Sequence, residues 1–147
     1  MKKKRLTGFT LIEILIVLGI IIVMLTIAMP NFLRSRVIAN ETAALTNCRS
    51  ISNACQLYHI NQETYPNKLE DLVEPKSDPP YIDAVLAAGK KQGYEYIYNF
   101  VDSGHFTLNV NPVTSGLLKG KYFYLDESGI IRGKADGPAG PEDEIIL

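Results

Sequence analysis

From Phe9 to Met29 the chain runs for 21 residues with a single charged side chain, Glu13. As an α-helix rising 1.5 Å per residue, such a run reaches roughly 30 Å, the thickness of a bilayer's hydrocarbon core. A helix apolar on every side for that length is not the amphipathic helix of an ordinary soluble domain. Lys2, Lys3, Lys4 and Arg5 stand in front of it, and a basic head of this kind predicts a cytoplasmic N-terminus. A secretory signal peptide has an apolar region of about 7–15 residues and a small-x-small cleavage site. This run is longer and ends at Met29-Pro30 without such a site. A plain membrane anchor explains the length and the head but leaves Glu13 unexplained, because an unpaired acid in a membrane helix costs about a few kcal/mol. Glu13 therefore predicts a partner.

The segment Gly8-Phe9-Thr10-Leu11-Ile12-Glu13, with the basic head before it and the apolar run after it, resembles the prepilin signal of type IV pilins and type II secretion pseudopilins. The resemblance implies cleavage after Gly8 by a prepilin peptidase on the cytoplasmic side. It further implies methylation of the new N-terminal residue, Phe9, and neutralisation of the Phe9 amine of a neighbouring subunit by Glu13 during assembly. Opposite charges brought together in an apolar bundle relieve each other's burial cost. Glu13 also reaches its own Phe9, because residues i and i+4 are neighbours on a helix. Pairing within and between subunits both stay open.

Composition restricts the partners. The 147 residues suit one domain. Formal charge is 15 − 16 = −1, and loss of residues 1–8 removes four cations, leaving 11 − 16 = −5. A mildly acidic chain is not expected to bind nucleic acid. The two cysteines, Cys48 and Cys55, lie seven residues apart. On one straight helix their Cα atoms are roughly 10 Å apart, beyond the ~7 Å reach of a disulfide. They are expected to be free and buried, and a metal site made of Cys48, Cys55 and His59 lacks a fourth ligand.

Beyond Pro30, the residues Val37, Ala44, Cys48, Ile51, Cys55 and Tyr58 form a helical stripe. Arg34, Arg36, Asn40, Asn47, Arg49, Asn53 and Gln56 lie mostly off it. The pattern predicts one helix from about Thr10 to His59, bent near Pro30, with a first half apolar all round and an amphipathic second half. Asn67 is the expected cap of a short helix over Lys68–Val73, and Tyr81–Ala88 is expected to be a second, ended by Gly89. From Gly93 the period becomes two. Tyr94, Tyr96, Tyr98 and Phe100 alternate with Glu95, Ile97 and Asn99, Asp102-Ser103-Gly104 marks a turn, and Phe106, Leu108 and Val110 alternate with Thr107, Asn109 and Asn111. Strands over Lys121–Asp126 and Ile130–Arg132 follow a loop at Pro112–Gly120. The aromatic strand resembles a base- or sugar-stacking face, but aromatics are ordinary strand residues and one face must cover the helix. The acidic, Gly/Pro-rich tail from Gly133 to Leu147 reads as a solvated end.

The expected fold class is α+β: a long bent N-terminal helix packed on a small antiparallel sheet of 3–4 strands, which is also the pilin fold that the resemblance implies. The expected organisation is a cleaved leader (1–8), a membrane and assembly half-helix (9–29), and a globular part (30–147). That part divides into helix to 59, loop with short helices at 60–92, sheet at 93–133 and tail at 134–147. The resemblance implies a structural subunit of a type II secretion pseudopilus or type IV pilus. Its partners would be the peptidase, copies of itself and other pilin-like subunits, membrane lipid, and an inner-membrane platform with a separate ATPase. The chain would sit in the bacterial inner membrane with its globular part periplasmic, then in a fibre. The resemblance to major pseudopilins also implies calcium at a C-terminal loop, with Asp126 and Asp136 as candidate ligands, although no EF-hand spacing is present. Neither His59 nor His105 lies in a catalytic motif, so no enzyme is expected. The alternative is a minor or tip pilin acting as a tethered ligand-binding module, using the Pro112–Gly120 loop and the acidic tail.

Overall fold

The computed structural model describes residues 8–113 and 119–146. The basic head and residues 114–118 of the expected Pro112–Gly120 loop lie outside the described residues. The chain divides into two compact units, residues 1–35 and 36–147.

In the first unit, the described residues are coil and helix. Helix α1 spans Leu11–Gln62 and runs on past the end of this unit. It is long and apolar enough, by length and composition, to cross a membrane. Almost every residue from Gly8 to Ser35 is exposed, Phe9 at 77 %. Helix continues through Pro30. The ring removes one backbone donor. Nearby polar side chains bond back to backbone: Thr26 to the Ile22 carbonyl at 2.9 Å and Asn31 to the Ile27 carbonyl at 3.2 Å. Side-chain bonds to i−4 carbonyls are how short polar residues are accommodated in an apolar helix.

In the second unit, α1 contributes Ala44, Cys48, Ile51 and Cys55 to the core, all fully buried. The helical stripe read from the sequence is thus the buried one, and both cysteines are free. Their small side chains let the facing layer approach closely. Asn47, expected off the stripe, is buried instead, and its amide donates to the Tyr96 hydroxyl at 2.8 Å and to Gln92 Oε1 at 3.1 Å. A buried amide with both donors satisfied adds specificity without a large burial cost.

The region after α1 departs from expectation in detail. A single 3₁₀ turn, Leu69–Leu72, replaces the predicted helix, and Asn67 does not cap it. The Asp71 carboxylate reaches back to accept from the backbone N–H of Asn67 and Lys68, at 3.1 and 3.2 Å. Helix α2 is only Ala84–Ala87, because Asp83 caps it by accepting from Leu86 N–H at 3.0 Å. Gly89 ends it with φ +77°, as expected.

The sheet has six antiparallel strands rather than three or four, in sequential order: β1 (Lys90–Lys91), β2 (Tyr94–Asp102), β3 (His105–Pro112), β4 (Tyr122–Asp126), β5 (Arg132–Lys134) and β6 (Glu144–Ile145). The two additions are edge strands of two residues, too short to leave a period in the sequence. Strand β1 turns into β2 through Gln92 and Gly93, both with positive φ, the backbone that a two-residue hairpin needs. Strand β6 corrects the reading of a solvated tail. Ile146 N–H donates to the Ile131 carbonyl at 2.9 Å, and Ile146 packs against the core. Gly133 makes this possible, because a Cβ there would sit 2.0 Å from Ile146 Cδ1. Tyr94, Tyr96, Phe106, Leu108, Val110, Phe123 and Leu125 share one buried cluster with the α1 stripe. The aromatic strand is therefore used structurally.

Candidate assembly site

Gly8 is exposed coil, and a Cβ placed on it would meet nothing within 4 Å. Phe9 follows with its ring exposed. Three hydrogen bonds then close the start of α1. Glu13 N–H donates to Thr10 Oγ1, Thr10 N–H donates to Glu13 Oε2, and the Thr10 hydroxyl donates to the same carboxylate oxygen, each at 3.3 Å. This is a capping box, in which an N-cap hydroxyl and an acid three residues on satisfy each other's backbone donors. A carboxylate in the first turn also opposes the positive end of the helix dipole. The sequence carries the signal as Thr-x-x-Glu, but the analysis of hydropathy passes over it. Glu13 Oε1 has no partner among the described residues. The acid is thus tied to Thr10, with one oxygen committed locally and the other without a partner among the described residues, on a helix whose apolar side chains from Leu11 to Phe32 are exposed.

The other residues of interest lie apart from this segment. Asp126 accepts from Ser128 N–H at 3.0 Å in the turn after β4. Asp136 is fully exposed and 3.7 Å from Lys119 Nζ. Among the described residues, no group of three or more His, Cys, Asp or Glu is placed to hold a metal ion. A calcium site using both acids requires the Lys119–Asp136 contact to open and further oxygens to gather. His59 stacks on Tyr65, ring centres 4.5 Å apart. His105 sits exposed at the β2–β3 turn, its Nδ1 2.8 Å from Asp102 and its Nε2 3.9 Å from Glu127. The Asp102 carboxylate, then Glu127, pushes the His105 pKa above its ordinary value, and the same contact holds Asp102 below the usual carboxylate range. A cleft of about 560 Å³ opens between the end of α1 and residues 76–81, lined by Tyr58, Asn61 and Tyr81 among others.

Residues 3–29 match the family model described as the prokaryotic N-terminal methylation motif. The chain is 31 % identical over 142 residues to type II secretion system core protein G of Escherichia coli K12, an alignment covering 94 % of this chain and 88 % of that protein. It is 31 % identical over 81 residues to core protein G of Vibrio cholerae, covering 53 % of this chain and 56 % of that one. It is 29 % identical over 89 residues to the type IV wide pilus major component PilA4 of Thermus thermophilus, covering 59 % and 68 %. No solved structure matches the chain.

Proposed function

Because the chain belongs to the pilin and pseudopilin family and is a structural subunit of that kind, we propose that it is cut after Gly8, methylated at Phe9, and polymerised through α1 into a type II secretion pseudopilus. The full-length similarity to core protein G favours the pseudopilus over the type IV pilus. The observation that carries the mechanism is one acid, Glu13, at the head of a helix whose apolar side chains from Leu11 to Phe32 are exposed.

In this reading the membrane stores the subunit by residues 9–29, N-terminus cytoplasmic and globular part periplasmic. Assembly moves these side chains from lipid into a bundle of the same side chains. Apolar burial changes little in that transfer, so the charge pair biases it and sets register. Cleavage by a prepilin peptidase generates the cation, the Phe9 amine, and Glu13 Oε1 of a neighbour accepts it. Other pilin-like subunits and a platform with its own ATPase supply the rest of the machine. The role is structural, not catalytic.

The intact mass of the protein from cells that carry the secretion machinery tests the first step. The expected species begins at Phe9 and carries one added methyl. A mature chain that retains residues 1–8, or one cut beyond Met29, overturns the reading.

A further inference from the structure

The outward face of α1 in the second unit meets no partner among the described residues. Ile38, Thr42, Arg49, Asn53 and Ile60 recur in steps of four and seven, which places them on one side of a helix. All are exposed, Ile38 at 54 % and Ile60 at 73 %. Arg49 lies in the middle of this face. Five lysines of the unit, Lys76, Lys90, Lys91, Lys119 and Lys134, each pair with a carboxylate, whereas Lys68 and Lys121 pair with none among the described residues. Arg49 meets none among the described residues. Its neighbours at three and four positions are Leu45, Thr46, Ser52 and Asn53, so no acid supports it along the helix. Glu41, the single acid between residues 36 and 62, is committed elsewhere and accepts from Lys121 N–H at 2.9 Å.

The opposite sign gathers just past the helix. Glu63, Glu70, Glu74 and Asp78 are exposed and meet no cation among the described residues, while Asp71 is engaged by Lys76. Acids thus outnumber cations five to two in the segment 63–78 that follows α1, and Lys68 is its one cation without a carboxylate partner among the described residues. Two parallel copies at equal height would set Arg49 beside Arg49. A slide of roughly 20 Å, the 14 residues from Arg49 to Glu63 at 1.5 Å each, sets Arg49 beside Glu63 instead, at the start of that acidic segment.

We propose that the Ile38–Ile60 face of α1 docks against the 63–78 segment of a second copy, with Arg49 meeting its unpaired acids, and so imposes a staggered parallel register. The inference rests on the fibre reading and deepens it by naming the partner surface. The apolar side chains supply contact area, and the charges supply register and discrimination.

The test uses the full chain in cells that assemble fibres from it. Arg49→Glu is expected to lower fibre yield by about tenfold, and Arg49→Glu combined with Glu70→Arg and Glu74→Arg is expected to restore most of it. Because a reversal can also disturb folding, a second measurement is independent of it: Arg49→Cys paired with Glu70→Cys or Glu74→Cys should cross-link into ladders under mild oxidant. Wild-type yield from Arg49→Glu overturns the proposal. So do cross-links of Arg49→Cys to itself alone, or to a different pilin-like subunit only. Fibres that form normally without the mixed cross-link defeat this docking and leave the fibre reading standing. Failure of the wild-type chain to enter any fibre defeats both.

Discussion

Glu13 holds two positions at once. One carboxylate oxygen closes the capping box with Thr10, and the other faces no partner among the described residues. Glu13→Ala therefore removes the carboxylate half of the capping box as well as the charge, while the Thr10 hydroxyl still caps the residue-13 N–H. Glu13→Gln keeps an acceptor for the Thr10 amide and removes the charge alone. If charge neutralisation drives assembly, both variants are processed normally and both fail to enter fibres, as scored by immunoblotting of sheared fibres. Assembly by the Gln variant at wild-type level would make the cap, not the charge, the working part. His105 offers a separate, solution-phase prediction. Its folded pKa is raised by Asp102, so the contribution of that pair is fully present below the ordinary histidine pKa and is lost as pH rises through the folded value. An NMR titration of His105 should give a midpoint above that of an unstructured histidine and should fall back towards it in Asp102→Asn. An unchanged midpoint in that variant would refute the pairing.

At the scale of elements, α1 is one helix with two kinds of surface. Up to Ser35 almost all of it is exposed, whereas beyond Ala44 one stripe is fully buried. That stripe was legible in the sequence because helical period and residue size coincide at Ala44, Cys48, Ile51 and Cys55. Ile51→Ala should destabilise the folded unit by about 2–5 kcal/mol, through lost burial plus the cavity left behind, measured by denaturant titration of the full chain in detergent. A loss below about 1 kcal/mol would mean the facing layer collapses into the gap. Cys48 and Cys55 should both resist alkylation until the protein unfolds, and mass spectrometry of the labelled folded protein checks this. The short edge strands were not legible. Strand β1 depends on Gln92 and Gly93 adopting positive φ, and glutamine is a weak signal for that turn. Strand β6 depends on the slot that Gly133 leaves for Ile146, a contact between residues 13 positions apart.

For the whole molecule, the proposed assembly chemistry and the folded core use different residues. Every buried hydrophobic residue among those described lies beyond Arg36, and the proposed assembly chemistry lies at Gly8–Glu13. Glu13→Ala should therefore leave the thermal midpoint of the globular part within about 1 °C of wild type, whereas Ile51→Ala lowers it by several degrees. Circular dichroism of the two variants in the same detergent makes the comparison. Equal midpoint losses would show that the two functions are not separable. The sequence by itself determined the long apolar run, the processing motif, the buried helical stripe and the core strands, because each is a local periodicity or a fixed spacing. The expectation that Glu13 finds a partner also comes from the sequence, from the cost of an acid in hydrocarbon. Only the tertiary structure decided that Asn47 is buried, that the tail closes the sheet as β6, and that Asp136 lies beside Lys119. Those outcomes rest on contacts between distant residues: an amide reaching Tyr96, an isoleucine filling the space over a glycine, a lysine claiming Asp136. Hydropathy and period describe a residue's own neighbourhood along the chain, and none of these partners lies in it.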